Sequence, residues 1–311
     1  MARVAAVDLG TNSTRLLVAD VVDGRIDDVE RQTRVTRLGE GVDERRRLLP
    51  VPITRVRNTL TDYRRSAEQL GAERTLAIAT SAVRDADNGE AFLGEVEWSY
   101  GFVTRLLSGH DEALLTYRGA TAERPVSAGT LIVDVGGGST ELIAAEPDGV
   151  RWHDSLDIGS VRLTERFLHA DPPAGEELAA CAAAVRALLA ERVPDEIRER
   201  TTSAIGVAGT ITTLAALAGE TSLTAHALAE QVDRLARLPL VERRRLEGLD
   251  PDRASVIVAG AVIARETVAF FGGLDGLEVS VRDLLDGAAL AAAELPENEE
   301  GAAPPGAYTC C

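Results

Sequence analysis

The sequence contains no lysine, and all 33 of its lysine-or-arginine residues are arginines. A Walker-type phosphate loop and Schiff-base catalysis both need a lysine, so the sequence excludes both. Aromatic residues make up only 4% of the chain against 45% hydrophobic residues, which predicts cores packed by Ala, Val and Leu. No apolar run approaches the roughly 20 residues of a membrane-spanning helix. The first residues also lack the features of a signal peptide.

Cysteine is scarce as well: Cys181 stands in a helical pattern, and Cys310 and Cys311 close the sequence. This spacing forms neither a disulfide framework nor a metal motif, which predicts a cytoplasmic protein. The net charge of −17 opposes nonspecific binding to nucleic acid or to anionic membranes. An anionic substrate would have to be held by arginines, backbone amides and metal. A homodimer is compatible with the sequence, which leaves the oligomeric state open.

A glycine loop stands at the centre of the sequence, in Val133–Glu146 (VDVGGGSTELIAAE). An apolar run ends in Asp134, turns on three glycines, and resumes after Ser139, which predicts a β-hairpin. Glycines let backbone N–H groups approach an anion, and Asp134 and Glu141 are placed to hold a hydrated divalent metal. An ordinary glycine-rich hairpin is the alternative.

A second copy of this hairpin occurs at Val7–Asp20, where seven of fourteen positions are identical at a constant offset of 126 residues. Two copies at the starts of two halves indicate a duplicated domain. We therefore predict one lobe over residues 1–124 and a second over 125–295, with the last helix, 283–295, able to pack back on the first lobe. Residues 296–311 are rich in Glu, Gly, Ala and Pro, which predicts a disordered tail.

Arg84 follows a predicted strand, Thr75–Ala79, and so stands where open α/β sheets bind ligands. A helix cap or a surface ion pair is an equally good interpretation of this arginine. Asp111 and Glu112 open a predicted helix, where acidic residues usually serve the helix dipole.

Five motifs occur in order along the chain: Asp8–Arg15 (DLGTNSTR), Ala79–Asn88 (ATSAVRDADN), Asp134–Glu141 (DVGGGSTE), Gly159–Glu165 (GSVRLTE) and Gly206–Thr213 (GVAGTITT). Together they resemble the exopolyphosphatase/guanosine pentaphosphate phosphohydrolase (Ppx/GppA) family of the actin-like ATPase superfamily. The resemblance implies an α/β fold of duplicated ribonuclease-H-like lobes with an interdomain cleft. It also implies Mg²⁺-dependent hydrolysis, with Mn²⁺ as a substitute, of a terminal phosphate from polyphosphate or pppGpp.

The resemblance also implies a role for each matching residue. Glu112 would be the general base that takes a proton from the attacking water, and Asp134 and Glu141 would hold the metal. Arg84 would clamp the terminal phosphate, whereas Arg15 would contact either the substrate or an acidic neighbour. The remaining matches would cradle phosphate oxygens through backbone amides and hydroxyls: Asn12, Ser13, Gly137, Gly138 and Ser139.

Two departures from the family pattern bear on the substrate. The sequence carries no C-terminal helical domain of the HD type, and the family's arginine near the end is replaced by Leu285. With the acidic charge, these features predict an exopolyphosphatase with a preference for short chains. The alternatives are a pppGpp 5′-phosphohydrolase, a phosphotransferase of the same superfamily, and a polyphosphate or alarmone sensor without hydrolytic activity.

Overall fold

A computed structural model describes residues 2–296, and in it the chain folds into two units. The first unit runs to Ser108 and takes up the chain again at Leu285, and the second spans Gly109–Leu284. The sequence predicted the boundary at 124/125, so the difference is the segment 109–124. This segment is a helix that packs on strands of the second sheet, which the sequence pattern does not reveal.

The first unit is built around a five-stranded sheet. Its strands are β1 (Ala2–Leu9), β2 (Ser13–Val22), β3 (Arg25–Val35), β4 (Arg74–Ala79) and β5 (Val103–Leu106). Its helices are α1 (Val42–Arg45), α2 (Pro50–Gln69), α3 (Ser81–Arg84) and α4 (Gly89–Tyr100). The strand order is β3-β2-β1-β4-β5, with β1 antiparallel to β2 and parallel to β4.

The second unit contains a six-stranded sheet in the order β10-β11-β9-β6-β7-β8. Its strands are β6 (Thr130–Val135), β7 (Thr140–Glu146), β8 (Gly149–Leu156), β9 (Ser203–Val207), β10 (Ser222–Thr224) and β11 (Gly276–Val279). Its helices are α5 (Gly109–Thr121), α6 (Ser160–Phe167), α7 (Gly175–Arg192), α8 (Asp195–Arg200), α9 (Ala208–Ala218), α10 (Ala225–Arg237), α11 (Leu240–Arg243) and α12 (Ile257–Phe271). The last helix of the chain is α13 (Leu284–Ala293).

The two sheets share one topology. The strands β6, β7, β8, β9 and β11 follow the order and directions of β1 to β5, and β10 adds an edge strand to the second sheet. The predicted fold class, a duplicated α/β architecture, is confirmed. The duplication therefore extends well beyond the fourteen residues in which the sequence reveals it.

Aliphatic residues fill the interior, as the shortage of aromatics predicts. In the first unit, Tyr63 is the largest fully buried side chain, and its hydroxyl donates to the Thr14 carbonyl at 2.9 Å. In the second unit, α12 is buried along almost its whole length. Cys181 lies in the same core, and burial raises the pKa of its thiol to about 11, which fits a packing role.

Several elements differ from the sequence prediction. The helices α1, α4 and α8 and the strand β10 have no counterpart in the sequence analysis. The predicted tail over 296–311 lies, apart from Pro296, outside the described residues. Within the described part of the chain, no helix has both the length and the apolar character that membrane crossing requires.

The edge strand β3 is mostly exposed, and its Arg31 contacts the helix α13. Arg31 forms two hydrogen bonds to Asp286 of α13, at 2.6 and 3.3 Å, and Asp286 is fully buried. Arg74 donates to the carbonyl of Ala293 at the other end of that helix, at 2.8 Å. These bonds hold α13 on the first sheet.

Replacing Asp286 with alanine is expected to lower the free energy of unfolding by about 2 kcal/mol, because it removes the buried half of an ion pair and leaves Arg31 without that carboxylate. Asp28, the more exposed acidic partner of Arg31 at 2.9 Å, provides the control. Asp28→Ala should cost less than about 1 kcal/mol. Urea unfolding of both variants tests this, and equal losses would contradict it.

Candidate active site

The two hairpins of the repeat make the same turn. In the first unit the Gly10 N–H donates to the Ser13 carbonyl at 3.1 Å, and in the second the Gly136 N–H donates to the Ser139 carbonyl at 3.0 Å. A side chain on either glycine would meet that carbonyl oxygen, at 2.9 Å for Gly10 and 3.0 Å for Gly136. The turn therefore requires a glycine at its first position, and this requirement explains why the repeat keeps one there.

The carbonyl groups of Gly136 and Gly137 in the second turn point toward the start of α6. The Gly136 carbonyl accepts from the Ser160 N–H at 2.9 Å, and the Gly137 carbonyl accepts from Val161 at 2.9 Å. Among residues 2–296, the N–H groups of Gly137 and Gly138 donate no hydrogen bond. Because the carbonyls are engaged on one side, the loop presents its N–H groups for an anion, as the sequence predicts for a phosphate cradle.

Arg162 completes this support, and sequence reasoning did not select it. Its side chain is buried, and its Nε donates to the Gly138 carbonyl at 2.7 Å. Arginine is almost never buried without a partner, so an arginine within the otherwise apolar start of the Gly159–Glu165 motif is the signal that could have found it. Arg162 positions the loop and supplies positive charge next to it.

The first turn has the same polarity. The Asn12 carbonyl accepts from the N–H groups of Thr36 and Arg37, at 3.0 and 2.9 Å, and the Thr11 carbonyl accepts from Gly39 at 2.8 Å. Asn12 and Ser13 are both buried. The Asn12 Oδ1 atom has no hydrogen-bond partner within the described chain. A buried amide oxygen in this state calls for a water or ligand beside it.

Both copies of the repeat contain an aspartate at the same position, and the residue that faces it differs in charge between the two units. Asp8 faces Arg15 across β1 and β2, and the Arg15 Nε lies 2.8 Å from the Asp8 carboxylate. At the equivalent place in the second unit, Asp134 faces Glu141 across β6 and β7. Arg15 thus contacts its acidic neighbour, one of the two roles that the sequence left open.

The pair of carboxylates in the second unit continues across the sheet to β8. Glu141 faces Ser155, whose Oγ donates to the Glu141 carboxylate at 2.8 Å. Asp134 and Glu141 are both about 95% buried, with 5% and 3% of their surface exposed. Two like charges directly opposite each other on a sheet repel each other.

The helix α5 brings Glu112 to the same part of the second unit. A side chain on Gly109 would stand 2.7 Å from Ser155 Cβ, so the first turn of α5 lies directly against β8. His110 adds a contact, because its Nδ1 lies 2.7 Å from His153 Nε2, and burial together with His110 lowers the pKa of His153. Glu112 follows in this turn and is 4% exposed.

Arg84 ends α3 in the first unit, at the carboxyl end of β4. Its Nη1 donates to the carbonyl of Leu107 at 2.8 Å, which joins the segments after β4 and β5. The side chain is half-buried. This bond helps to orient the Arg84 guanidinium, which has five donor hydrogens.

The structure sorts the predicted site residues into two sets. The second unit holds Glu112, Asp134, Glu141 and the 137–139 loop, and the first unit holds Asn12, Ser13, Arg15 and Arg84. Among the residues described, no group of three or more His, Cys, Asp or Glu side chains gathers as a metal cluster. Mg²⁺ is commonly bound by one or two carboxylates together with water and substrate phosphates, and Asp134 and Glu141 fit that pattern.

Comparisons with known proteins agree with the architecture. A sequence model of the Ppx/GppA phosphatase family matches residues 17–279. Exopolyphosphatase 2 of Mycobacterium tuberculosis is 40% identical over an alignment covering 94% of this chain and 99% of the relative. The crystal structure of the PPX-GPPA enzyme of Aquifex aeolicus superimposes with a TM-score of 0.76 at 32% identity, covering 93% of this chain and 99% of that one. An exopolyphosphatase from Cytophaga hutchinsonii gives 0.83 at 25% identity, covering 92% and 96%.

Gly159→Ala is expected to displace the glycine loop, because the new methyl group would lie 2.3 Å from the Gly137 carbonyl oxygen. A displacement of about 1 Å in a catalytic site costs on the order of 10²-fold in rate, and we expect a loss of that size in phosphate release. Gly175→Ala is the control, since Gly175 also starts a helix and has open space around it. A fully active Gly159→Ala variant would show that the loop does not hold the substrate.

Proposed function

Because the chain belongs to the Ppx/GppA phosphatase family, we propose that it is an exopolyphosphatase, which hydrolyses the terminal phosphate of inorganic polyphosphate. The observation that carries this proposal is the composition of the second unit. Three buried carboxylates, Glu112, Asp134 and Glu141, accompany a glycine loop whose N–H groups are available to an anion. A purely structural hairpin would have no use for two facing carboxylates.

In this proposal the two turns hold phosphate oxygens. The N–H groups of Gly137 and Gly138 and the Ser139 hydroxyl act in the second unit, and Asn12 and Ser13 act in the first. Arg84, oriented by the Leu107 carbonyl, neutralises charge on the terminal phosphate. Phosphoryl transfer depends mainly on such positioning and charge neutralisation, so these contacts supply most of the rate enhancement.

Glu112 is the general base. Its carboxylate takes a proton from a water whose oxygen bonds to the terminal phosphorus, while the bridging P–O bond breaks and the shortened chain leaves with those electrons. The products are orthophosphate and a polyphosphate shorter by one unit. Burial suits this role, because few waters compete for a carboxylate that is 4% exposed.

Asp134 and Glu141 are the residues that would hold Mg²⁺, or Mn²⁺ in its place. When bound, the ion would neutralise negative charge on the phosphate oxygens. Ser155 orients the Glu141 carboxylate through its hydroxyl.

We further propose a preference for short chains. The net charge of −17 repels a long polyanion, and each added phosphate brings more charge to an acidic surface. Specific activity measured on chains of tens and of hundreds of phosphates, at matched concentrations of chain ends, tests this preference. Equal activities would remove it. The cytoplasmic location and the homodimer stay predictions.

Replacing Glu112 with glutamine is expected to reduce the rate of phosphate release by roughly 10²- to 10⁴-fold, the usual contribution of a general base. Asp111→Asn is the matched control, because Asp111 occupies the same helical turn but is exposed. Release from polyphosphate and from pppGpp should be measured in parallel. An unchanged rate in the glutamine variant would refute this role of Glu112, and a strong preference for pppGpp would replace the proposed substrate.

Addition of Mg²⁺ is expected to raise the melting temperature, because it neutralises two facing carboxylates in the folded state. In the Glu141→Gln variant the rise should be much smaller, since one of the two charges is gone. Asp154→Asn serves as control, because Asp154 is also acidic, lies on β8 and is paired with Arg192 at 2.7 Å. An equal rise in all three proteins would place the ion elsewhere.

A further inference from the structure

Three consecutive arginines, Arg45, Arg46 and Arg47, are exposed on the first unit. Within residues 2–296 none of the three forms an ion pair or a side-chain hydrogen bond. Nearby arginines behave differently: Arg55 pairs with Glu40 at 2.7 Å, and Arg57 pairs with Glu95 at 2.6 Å. In a chain with 50 acidic residues against 33 basic ones, three adjacent cations without a carboxylate partner are unusual.

The loop that carries these arginines lies at the carboxyl edge of the first sheet. It follows β3, and its residue Gly39 packs so closely on Thr11 that a side chain there would stand 2.3 Å from the Thr11 methyl group. The same position lies 3.2 Å from Ala82, in the segment that carries Arg84. The loop thus contacts both the Asn12–Ser13 turn and the Arg84 segment.

Backbone hydrogen bonds anchor the arginine run itself to the Arg84 segment. The Asp87 N–H donates to the Arg46 carbonyl at 2.8 Å. The Asn88 side chain bonds the backbone of Leu48, two residues after Arg46. It accepts from the Leu48 N–H at 2.8 Å and donates to the Leu48 carbonyl at 3.1 Å. Arg46 also adopts a left-handed conformation, with φ of 52°. The run is therefore held in a defined place, only a few residues from Arg84.

We infer that Arg45, Arg46 and Arg47 bind phosphates of the substrate that lie inward of the terminal one. This inference rests on the proposed function, in which Arg84 and the Asn12–Ser13 turn hold the terminal phosphate. A linear polyphosphate extends away from that point with one negative charge on each added unit. Three cations anchored beside the terminal-phosphate residues are suited to receive those charges, whereas the rest of the acidic surface repels them.

The inference specifies how affinity depends on chain length. Affinity rises while added phosphates reach the arginine run, and it stops rising once the chain passes beyond it. The contacts are exposed, so salt screens them strongly. A solvated loop without a binding role would give no such length dependence.

The test removes the three charges without disturbing the loop. The variant carries Arg45→Gln, Arg46→Asn and Arg47→Gln, since asparagine tolerates the left-handed conformation at residue 46. The matched control carries Arg25→Gln, Arg244→Gln and Arg245→Gln, which are also exposed and without ion pairs in the described chain. Both proteins change the net charge from −17 to −20, so a general charge effect is common to both.

Phosphate release is measured with tripolyphosphate and with long-chain polyphosphate. For the long chain we expect kcat/KM of the run variant to be about tenfold lower than that of the control variant. This is the loss expected from several exposed charge contacts. At high salt the kcat/KM values of the two variants should become equal, because salt screens these contacts. With tripolyphosphate the two variants should agree. Equal values on the long chain, or the same tenfold loss on both substrates, would overturn the inference.

A binding measurement separates this inference from the proposed function. Fluorescently labelled long-chain polyphosphate is titrated with each full-length protein in the presence of a chelator, so that no turnover occurs. Weaker binding by the run variant than by the control supports the arginine contact even if no hydrolysis is found, which would refute only the proposed activity. Equal binding by the two variants, or no binding by the wild type, would refute the contact.

Discussion

The two halves of this protein differ in the charge of the side chain that faces the shared aspartate of the hairpin. In the first half the Arg15 guanidinium lies beside the Asp8 carboxylate, so this hairpin carries its own counter-charge. In the second half Glu141 faces Asp134, so the same position of the hairpin carries two carboxyl groups. A single difference at one register position of a repeated hairpin thus separates an oppositely charged pair from a pair of carboxyl groups.

Several contacts support the second hairpin. The α6 N-terminus and Arg162 take up the carbonyls of the glycine loop, and Ser155 holds Glu141 while Gly109 lets α5 approach. These contacts fix the loop carbonyls and the Glu141 carboxylate in place. The loop therefore has little freedom left to lose when an anion arrives, which is the condition for positioning to contribute to a rate.

The sequence allowed the duplicated architecture and the charge of each hairpin to be predicted, because identical residues recur at a fixed offset. The repeat could not show that α5 packs on β7 and β8, since long-range packing leaves no periodic trace in a single chain. Short elements such as β10 could not be predicted, because three residues are too few to show a periodic pattern. Arg162 was present in a matched motif, yet its role emerged only from the carbonyl it binds. The metal role of Asp134 and Glu141 and the base role of Glu112 stay predictions.

The exposed strand β3 has one further consequence, for the behaviour of the protein in concentrated solution. An edge strand with open N–H and C=O groups can recruit the same strand of another molecule and start aggregation. Here that edge carries closely spaced charges of both signs, at Arg25, Asp27, Asp28, Glu30, Arg31 and Arg34. At the other sheet, α5 packs on the edge strand β8. A second copy approaching β3 would have to bury these charges, so the strand that anchors the end of the chain also resists intermolecular sheet extension.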